Sequence, residues 1–455
     1  MALGKRTSQQ QELWIASTAV ARSPGHPFYR KLNEVLAAAE FDRFTETLCT
    51  PYYADGVGRP GIPPGVYFRM LLVGYFEGIG SQRGIAWRCS DSLSLREFLG
   101  VSPRQKTPDH SSLTVIRKRL PLTVHEAVFT EVLAIAGQHK LLDGKTLGVD
   151  ATTLEANAAM KSIVRKDTGE DWKAYLKRLA EEAGIEDPSD DDLRRFDRKR
   201  KGKKVSNDQW RSPSDPDSRI TKMKDGRTHL AYKAEHAVDL TTEFILSATV
   251  HPADRADGET LGESLVTAQV NLMRTGSEVA VREAVADKGY HKADALAECA
   301  EWGVRTYIPE RKDPRRRRWR DKPPAYQSAV YANRRRVRGQ RGKRLQRLRS
   351  ERVERSFAHV CETGGARRTW VRGLVEVGKR YLIQAAARNV GLIMRALFGI
   401  GTPRSLQGSV GLAYLVHLAV RTLWHRVFAP QTPVAHPVFI YSMANGLRCP
   451  TPLVA

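Results

Sequence analysis

No two of the five cysteines in this sequence form a CxxC pair. Cys49, Cys89, Cys299, Cys361 and Cys449 are odd in number and far apart. That excludes a disulfide framework and a thiolate zinc site, and a reducing cytoplasm is the expected setting. Long apolar runs are missing too. The most apolar stretch, residues 381–400, is broken by Gln384, Arg388, Asn389 and Arg395. A buried or amphipathic helix is expected there and no membrane span. The opening residues, with polar Thr7 to Gln10, hold no apolar signal-peptide segment. Acids are the third shortage. Fifty Asp and Glu face 74 Lys and Arg, a net charge of +24. Such a chain is drawn to polyanions, because neutralising phosphates releases condensed counterions. Nucleic acid is the expected partner, ahead of an anionic membrane surface.

The chain has 455 residues, 41% of them hydrophobic, which predicts two or three packed domains. Residues 1–140 carry apolar positions at helical spacing, as in Phe28, Tyr29, Leu32, Val35 and Leu36. Gly58 to Pro64 reads as a rigid loop. Asp109 reads as the cap of a helix whose exposed basic face is Arg117, Lys118 and Arg119. From Lys145 the period changes, and an apolar run ends in Asp150 as a central strand would. Residues 161–227 are dense in both charge signs and read as an exposed insertion, partly helical or disordered. A hairpin follows over 229–239 and 244–250. A helix is predicted over 258–273, a strand over 279–286, a helix over 292–302 and a strand over 304–309. This order predicts an α/β protein with a mixed-sheet, ribonuclease H-like core over 141–400. A helical domain precedes it, a charged insertion follows its first strand, and 401–455 forms a C-terminal extension.

Within a basic segment spanning 311–349, Arg315 to Arg349 hold fifteen Lys or Arg and one acid, Asp321. Arg315, Arg316, Arg317, Arg318, Arg334, Arg335 and Arg336, interleaved with Trp319, Tyr326 and Tyr331, suit phosphate contacts with stacking. Three acids stand where the predicted elements can meet. Asp150 ends the first strand, Asp287 follows the apolar strand 283–286, and Glu354 lies on the helix after the basic block. Carboxylates are the ligands that magnesium or manganese prefers. Two such ions about 4 Å apart can drive in-line attack at phosphorus. On spacing alone, each acid can equally be a surface acid, a cap or an arginine partner.

Short motifs then occur in a specific order. They are Gly58-Arg-Pro-Gly61, Met70-Leu-Leu72, Pro108-Asp-His-Ser-Ser-Leu113, Val149-Asp150 and Glu155-Ala-Asn157. Ser214-Asp-Pro-Asp217 and Tyr232-Lys233 with His236 and Asp239 follow. The last are Ala286-Asp-Lys-Gly-Tyr290, Val353-Glu-Arg-Ser-Phe357, Arg372-Gly-Leu374 and Ala387-Arg-Asn389. On this set the chain resembles the DDE transposases of bacterial insertion sequences, in the subgroup with a helical N-terminal domain. The resemblance runs from about Pro27 to Leu397. It implies that Asp150, Asp287 and Glu354 hold two Mg2+ or Mn2+ ions. It also implies a homodimer on double-stranded DNA that cuts element ends and joins them to target DNA, in the bacterial cytoplasm near the nucleoid. Lys288, Tyr290, Arg349 and Arg352 become candidates for DNA-backbone contact. A tyrosine and an arginine that precede the glutamate in many relatives are replaced here by Arg347 and Ser350, and a following lysine by Cys361. Glu351 stays open as an alternative third ligand, and His236 reads as structural. A silent or repurposed DNA-binding relative and a structure-selective nuclease are the alternative functions.

Overall fold

The computed structural model describes residues 25–54, 61–200, 206–223, 225–311, 319–406 and residue 420. The first part is helical: α1 (Pro27–Ala38), α2 (Phe41–Cys49), α3 (Pro64–Glu77), α4 (Gln82–Asp91), α5 (Leu93–Phe98), α6 (His110–Arg119) and α7 (Leu122–Gln138). Local chemistry sets their ends. Pro64 opens α3, where a missing N–H costs nothing. Asp109 accepts from the backbone N–H groups of Ser111 and Ser112 to cap α6. The buried face of α1 is Phe28, Tyr29, Leu32, Val35 and Leu36, as the spacing predicts. The Gly58–Pro60 part of the predicted loop lies outside the described residues.

Strand β1 (Thr146–Glu155) runs five residues past Asp150 rather than ending there. The charged insertion is more ordered than its composition implies. It contains β2 (Val164–Arg165), α8 (Trp172–Glu182), α9 (Asp190–Lys199) and β3 (Trp210–Arg211). Leu176, Ala180 and Leu193 form a small core of their own, beside the packed rings of Trp172, Tyr175 and Trp210. Arg165 and Arg200 lie over those rings, so part of the charge covers aromatic faces. The insertion's end, β4 (Arg219–Lys222), joins the main sheet.

The predicted order holds through β5 (Thr228–Asp239), β6 (Ile245–Pro252), α10 (Asp257–Arg274), β7 (Glu283–Ala286), α11 (Ala293–Glu301) and β8 (Arg305–Tyr307). The basic block, for which no helix was expected, then forms α12 (Pro324–Arg338) and the start of α13 (Gln340–Phe357), followed by α14 (Leu374–Phe398). The mixed sheet runs β6-β5-β1-β7-β8, with β4 beside the first residues of β5. β5 is antiparallel to β1 and β6, whereas β7 is parallel to β1 and β8. Side chains alternate across the sheet. Glu235 therefore meets Thr260 and Ser264 of α10, while its neighbour His236 meets Ser356 of α13 and Tyr381 of α14 on the other face.

Helix α14 packs on β6 and also on α3 and α7, and one buried apolar cluster extends from Phe28 to Ile400. Several sequence motifs act as clamps between these parts. Asp215 accepts from the Tyr232 hydroxyl (2.5 Å) and the Gly373 N–H (3.0 Å), and Asp217 accepts from the Leu374 N–H (2.8 Å). Gly373 has φ 85°, a conformation that glycine adopts without strain. Asn389 pairs both its amide groups with the backbone of Ile245. His236 is structural, as expected. It is fully buried, hydrogen-bonded to Ser356 and Tyr381 at 2.8 Å each, and stacked on Phe357 at 4.2 Å. No single helix among the described residues is long and apolar enough to cross a membrane.

Buried histidines make stability pH-dependent. His125 is closed in by Pro121 and Tyr67, and burial pulls its pKa down to about 4 from 6.5. The unfolded chain therefore binds the proton first. The stability that neutral His125 contributes is present above pH 6.5 and is lost as pH falls towards 4, by about 3 kcal/mol at most. Urea unfolding of the parent and His125→Gln across pH 7 to 4 checks this, and equal slopes would refute it.

Candidate active site

The two strand-borne acids are brought together by register. In the parallel pairing of β1 with β7, Val149 lies opposite Ala286. The next residue on each chain is Asp150 and Asp287, where the parallel pairing stops. Beyond that point β1 continues paired with β5, and on its other side only its last residue, Glu155, is bridged, to Arg368. A gap opens beside the sheet with one carboxylate on each lip. Asp287 turns the chain sharply, its Oδ1 accepting from the Gly289 N–H at 2.6 Å.

Helix α13 covers this edge. Its Gln346 donates to the carbonyls of Ala286 and Tyr307, and Arg349 donates to Asp150 Oδ2 at 2.5 Å. Burial raises the Asp150 carboxyl above its usual range; the Arg349 charge opposes this, and the nearby Asp287 charge adds to it. A close approach makes the fit possible. A Cβ on Gly148 would stand 2.6 Å from Leu240 Cδ2 and 2.8 Å from Val353 Cγ2. Gly148→Ala is therefore expected to destabilise the chain by about 1–3 kcal/mol. Unchanged urea unfolding would mean that α13 shifts freely over the strand.

Glu354 lies on α13 but faces solvent, and among the described residues its carboxylate has no hydrogen bond or ion pair. It shares an exposed stripe, by helical spacing, with Lys343 and Arg347. Glu351 is exposed and bound to Arg355 at 2.5 Å, on the side of α13 away from the sheet. Among the described residues no three His, Cys, Asp or Glu stand close enough together to hold an ion. Asp150 and Asp287 fit a hard cation, which accepts one or two carboxylates with waters and phosphate oxygens. The third corner, Glu354, is not gathered with them.

The DNA-contact candidates divide. Lys118, Arg119, Lys288 and Arg335 are exposed, Arg119 resting on the Tyr53 ring. Arg117 is not part of an exposed face, because it pairs with Glu376 of α14 at 2.6 Å. Tyr290 is fully buried and donates to Glu235 at 2.7 Å. Arg334 holds Glu310 with two hydrogen bonds, Arg336 donates to Thr306, and Arg352 donates to the Leu240 and Thr241 carbonyls. Arg349 is buried against Asp150. These groups brace the helices on the sheet instead of meeting solvent. Trp319 is half-buried beside Tyr331. Arg315, Arg316, Arg317 and Arg318 lie outside the described residues.

One network had no expectation attached to it. Glu235, fully buried, accepts from Thr260, Ser264 and Tyr290. Tyr290 ends the turn that Asp287 begins, so Glu235 anchors that turn to α10. The available signal was two charged residues, Lys233 and Glu235, at strand spacing between the apolar residues Leu230, Ala231, Tyr232 and Ala234 and the pair Ala237 and Val238.

Comparison with known proteins follows the same lines. A family model described as a transposase domain (DUF772) matches residues 18–119. A second, described as a transposase DDE domain, matches residues 197–390, a span that includes Asp287 and Glu354 but not Asp150. No curated protein and no solved structure matches the chain. The two models occur in the order of the helical and mixed-sheet parts, and together they assign the chain to the DDE transposases of insertion sequences.

Proposed function

We propose that this chain binds the terminal inverted repeats of its element, cuts the DNA there and joins the freed 3′-hydroxyl ends to target DNA. The observation that carries the reading is the pair Asp150 and Asp287, in register on adjacent parallel strands where their pairing ends. The strand order, with a hairpin on one side of β1 and parallel β7 and β8 on the other, supports a ribonuclease H-like core.

Asp150 and Asp287 would hold Mg2+ or Mn2+; the motif marks Glu354 as a third oxygen ligand, and its side chain, which faces solvent here, would have to turn towards them. Held there, such ions would supply the charge that activates an attacking oxygen and stabilises a leaving one. The chain's own groups prepare this site. Glu235, through Tyr290, fixes the turn that carries Asp287. Arg349 neutralises Asp150 beside the second acid. Lys343 and Arg347 lead along α13 to Glu354, a stripe on which a DNA backbone can lie. Exposed Lys118 and Arg119 give the helical part its own phosphate contacts. Two ends must be processed together, which a homodimer on DNA satisfies.

The test is cleavage of end-containing DNA in magnesium by Asp150→Asn, with binding measured in parallel. Undiminished cleavage would overturn the carboxylate assignment. Cleavage without strand-transfer products would favour a nuclease. End binding without any cleavage by the parent chain would favour a silent relative, for which the Arg349–Asp150 pair is the one supporting observation.

A further inference from the structure

A cavity of about 650 Å3 lies between α3, α4 and α6 on one side and α14 with residues 370–372 on the other. Its wall includes Asn157, seven residues along the chain from Asp150, which places it roughly 20 Å from the carboxylates at strand rise. It is a separate place in the molecule.

Its charge is lopsided. Arg117, Lys118, Arg372, Lys379 and Arg380 line it against one acid, Glu376. That acid is shared by Arg117 and Lys379, each at 2.6 Å. Among the described residues no acid pairs with Lys118, Arg372 or Arg380. Arg380 donates instead to the carbonyls of Arg368 (3.2 Å) and Gly365 (3.0 Å). Burial, with Arg117 nearby, pushes its pKa down to about 10, so it stays charged at neutral pH. A partly desolvated cation with carbonyls but no counter-charge is costly, and an entering anion relieves that cost.

Two further features narrow the anion. Gln384 is 8% exposed and lines the cavity. Its Nε2 donates to the Gly364 carbonyl at 2.8 Å, whereas its Oε1 meets no donor among the described residues. That oxygen is closed off as the side chain stands, so a ligand N–H would satisfy it once the amide turns into the cavity. Trp370 is 54% exposed. A Cβ at Gly80 would stand 2.8 Å from its indole nitrogen and 3.5 Å from an Arg380 nitrogen. The bare glycine thus lets the indole edge and a cation converge; Arg368 lies over one face of the indole, and a flat ring can stack on the other.

We propose that this cavity binds a nucleoside phosphate unit. The phosphate sits among Lys118, Arg372 and Arg380, the base lies against Trp370, and a base N–H donates to Gln384 Oε1. The volume lies in the range of small-ligand sites. A free nucleotide and an unpaired nucleotide of a DNA strand share this chemistry. The proposal does not require the chain to cut DNA.

The experiment uses the full chain and deoxyadenosine monophosphate in equilibrium dialysis, with inorganic phosphate and deoxyadenosine as competitors. Saturable binding is expected, with either competitor at least about tenfold weaker, since each supplies only part of the contacts. Trp370→Ala and Arg372→Ala, both at exposed positions, should each weaken it about tenfold or more. A duplex with one unpaired 3′ nucleotide, compared with a blunt duplex, separates the sources. A gain that vanishes in Trp370→Ala assigns the strand end, and no gain assigns the free nucleotide. Inorganic phosphate competing as well as the nucleotide would overturn the assignment, and so would binding indifferent to both variants. Asp150→Asn should leave nucleotide binding unchanged, so the failure of one reading is distinguishable from the failure of the other.

Discussion

Asparagine in place of Asp150 is expected to lower DNA cleavage in magnesium by more than about 100-fold while end binding holds within about twofold. Removing even an outer partner of a metal ligand costs about 10- to 100-fold, so losing the ligand charge itself should exceed that. The substitution is nearly isosteric. Asparagine keeps an oxygen for Arg349, which donates to Asp150 Oδ2, and α13 keeps its seat against Gly148. The basic groups proposed to grip DNA, Lys118 and Arg119, are on α6 and untouched. Binding measured by gel shift and cleavage measured on the same DNA should therefore separate cleanly.

The second large effect is on stability. His236→Ala is expected to cost about 3–5 kcal/mol, the range for emptying the space of a buried ring. The Ser356 hydroxyl donates to the Val353 carbonyl at 2.7 Å, so the ring must donate from Nδ1 and accept from Tyr381 at Nε2. The imidazole is thus neutral, and burial holds its pKa well below 6.5. Its loss leaves the Tyr381 hydroxyl without that partner and opens the junction of β5, α13 and α14. A urea midpoint within about 1 kcal/mol of the parent would mean that the junction closes over the gap. In that event His236 is filler and not a keystone.

Much of the fold was legible because its signals are local. The cap at Asp109, the hairpin with Leu240 to Glu243 as its turn, and α10 within a residue of its predicted ends all rest on neighbours in sequence. Asp150 and Asp287 were legible too, since each follows an apolar run that forms a strand. What stayed hidden depends on partners far along the chain. Arg334 looks solvated until Glu310 is beside it, and Arg117 until α14 brings Glu376. Tyr290 reads as a DNA contact until Glu235, 55 residues earlier, accepts its hydroxyl hydrogen. The extension of β1 past Asp150 was concealed by polar Thr152 and Thr153, which a strand paired on one side accommodates. Glu354 is the corner on which sequence and geometry differ. Its motif marks it as a ligand, yet its side chain points to solvent.

Helix α14 threads both halves of the molecule, packing on β6 at one place and on α3 and α7 at another, with the Arg117–Glu376 pair as a further pin. On the proposed function this makes the protein a ruler. The span between the phosphates gripped by the helical part and the phosphate to be cut would be built into the skeleton before DNA arrives. Spacing changes in the element end would then be read as mismatched lengths: an inserted half-turn of DNA should abolish cutting outright instead of moving the cut.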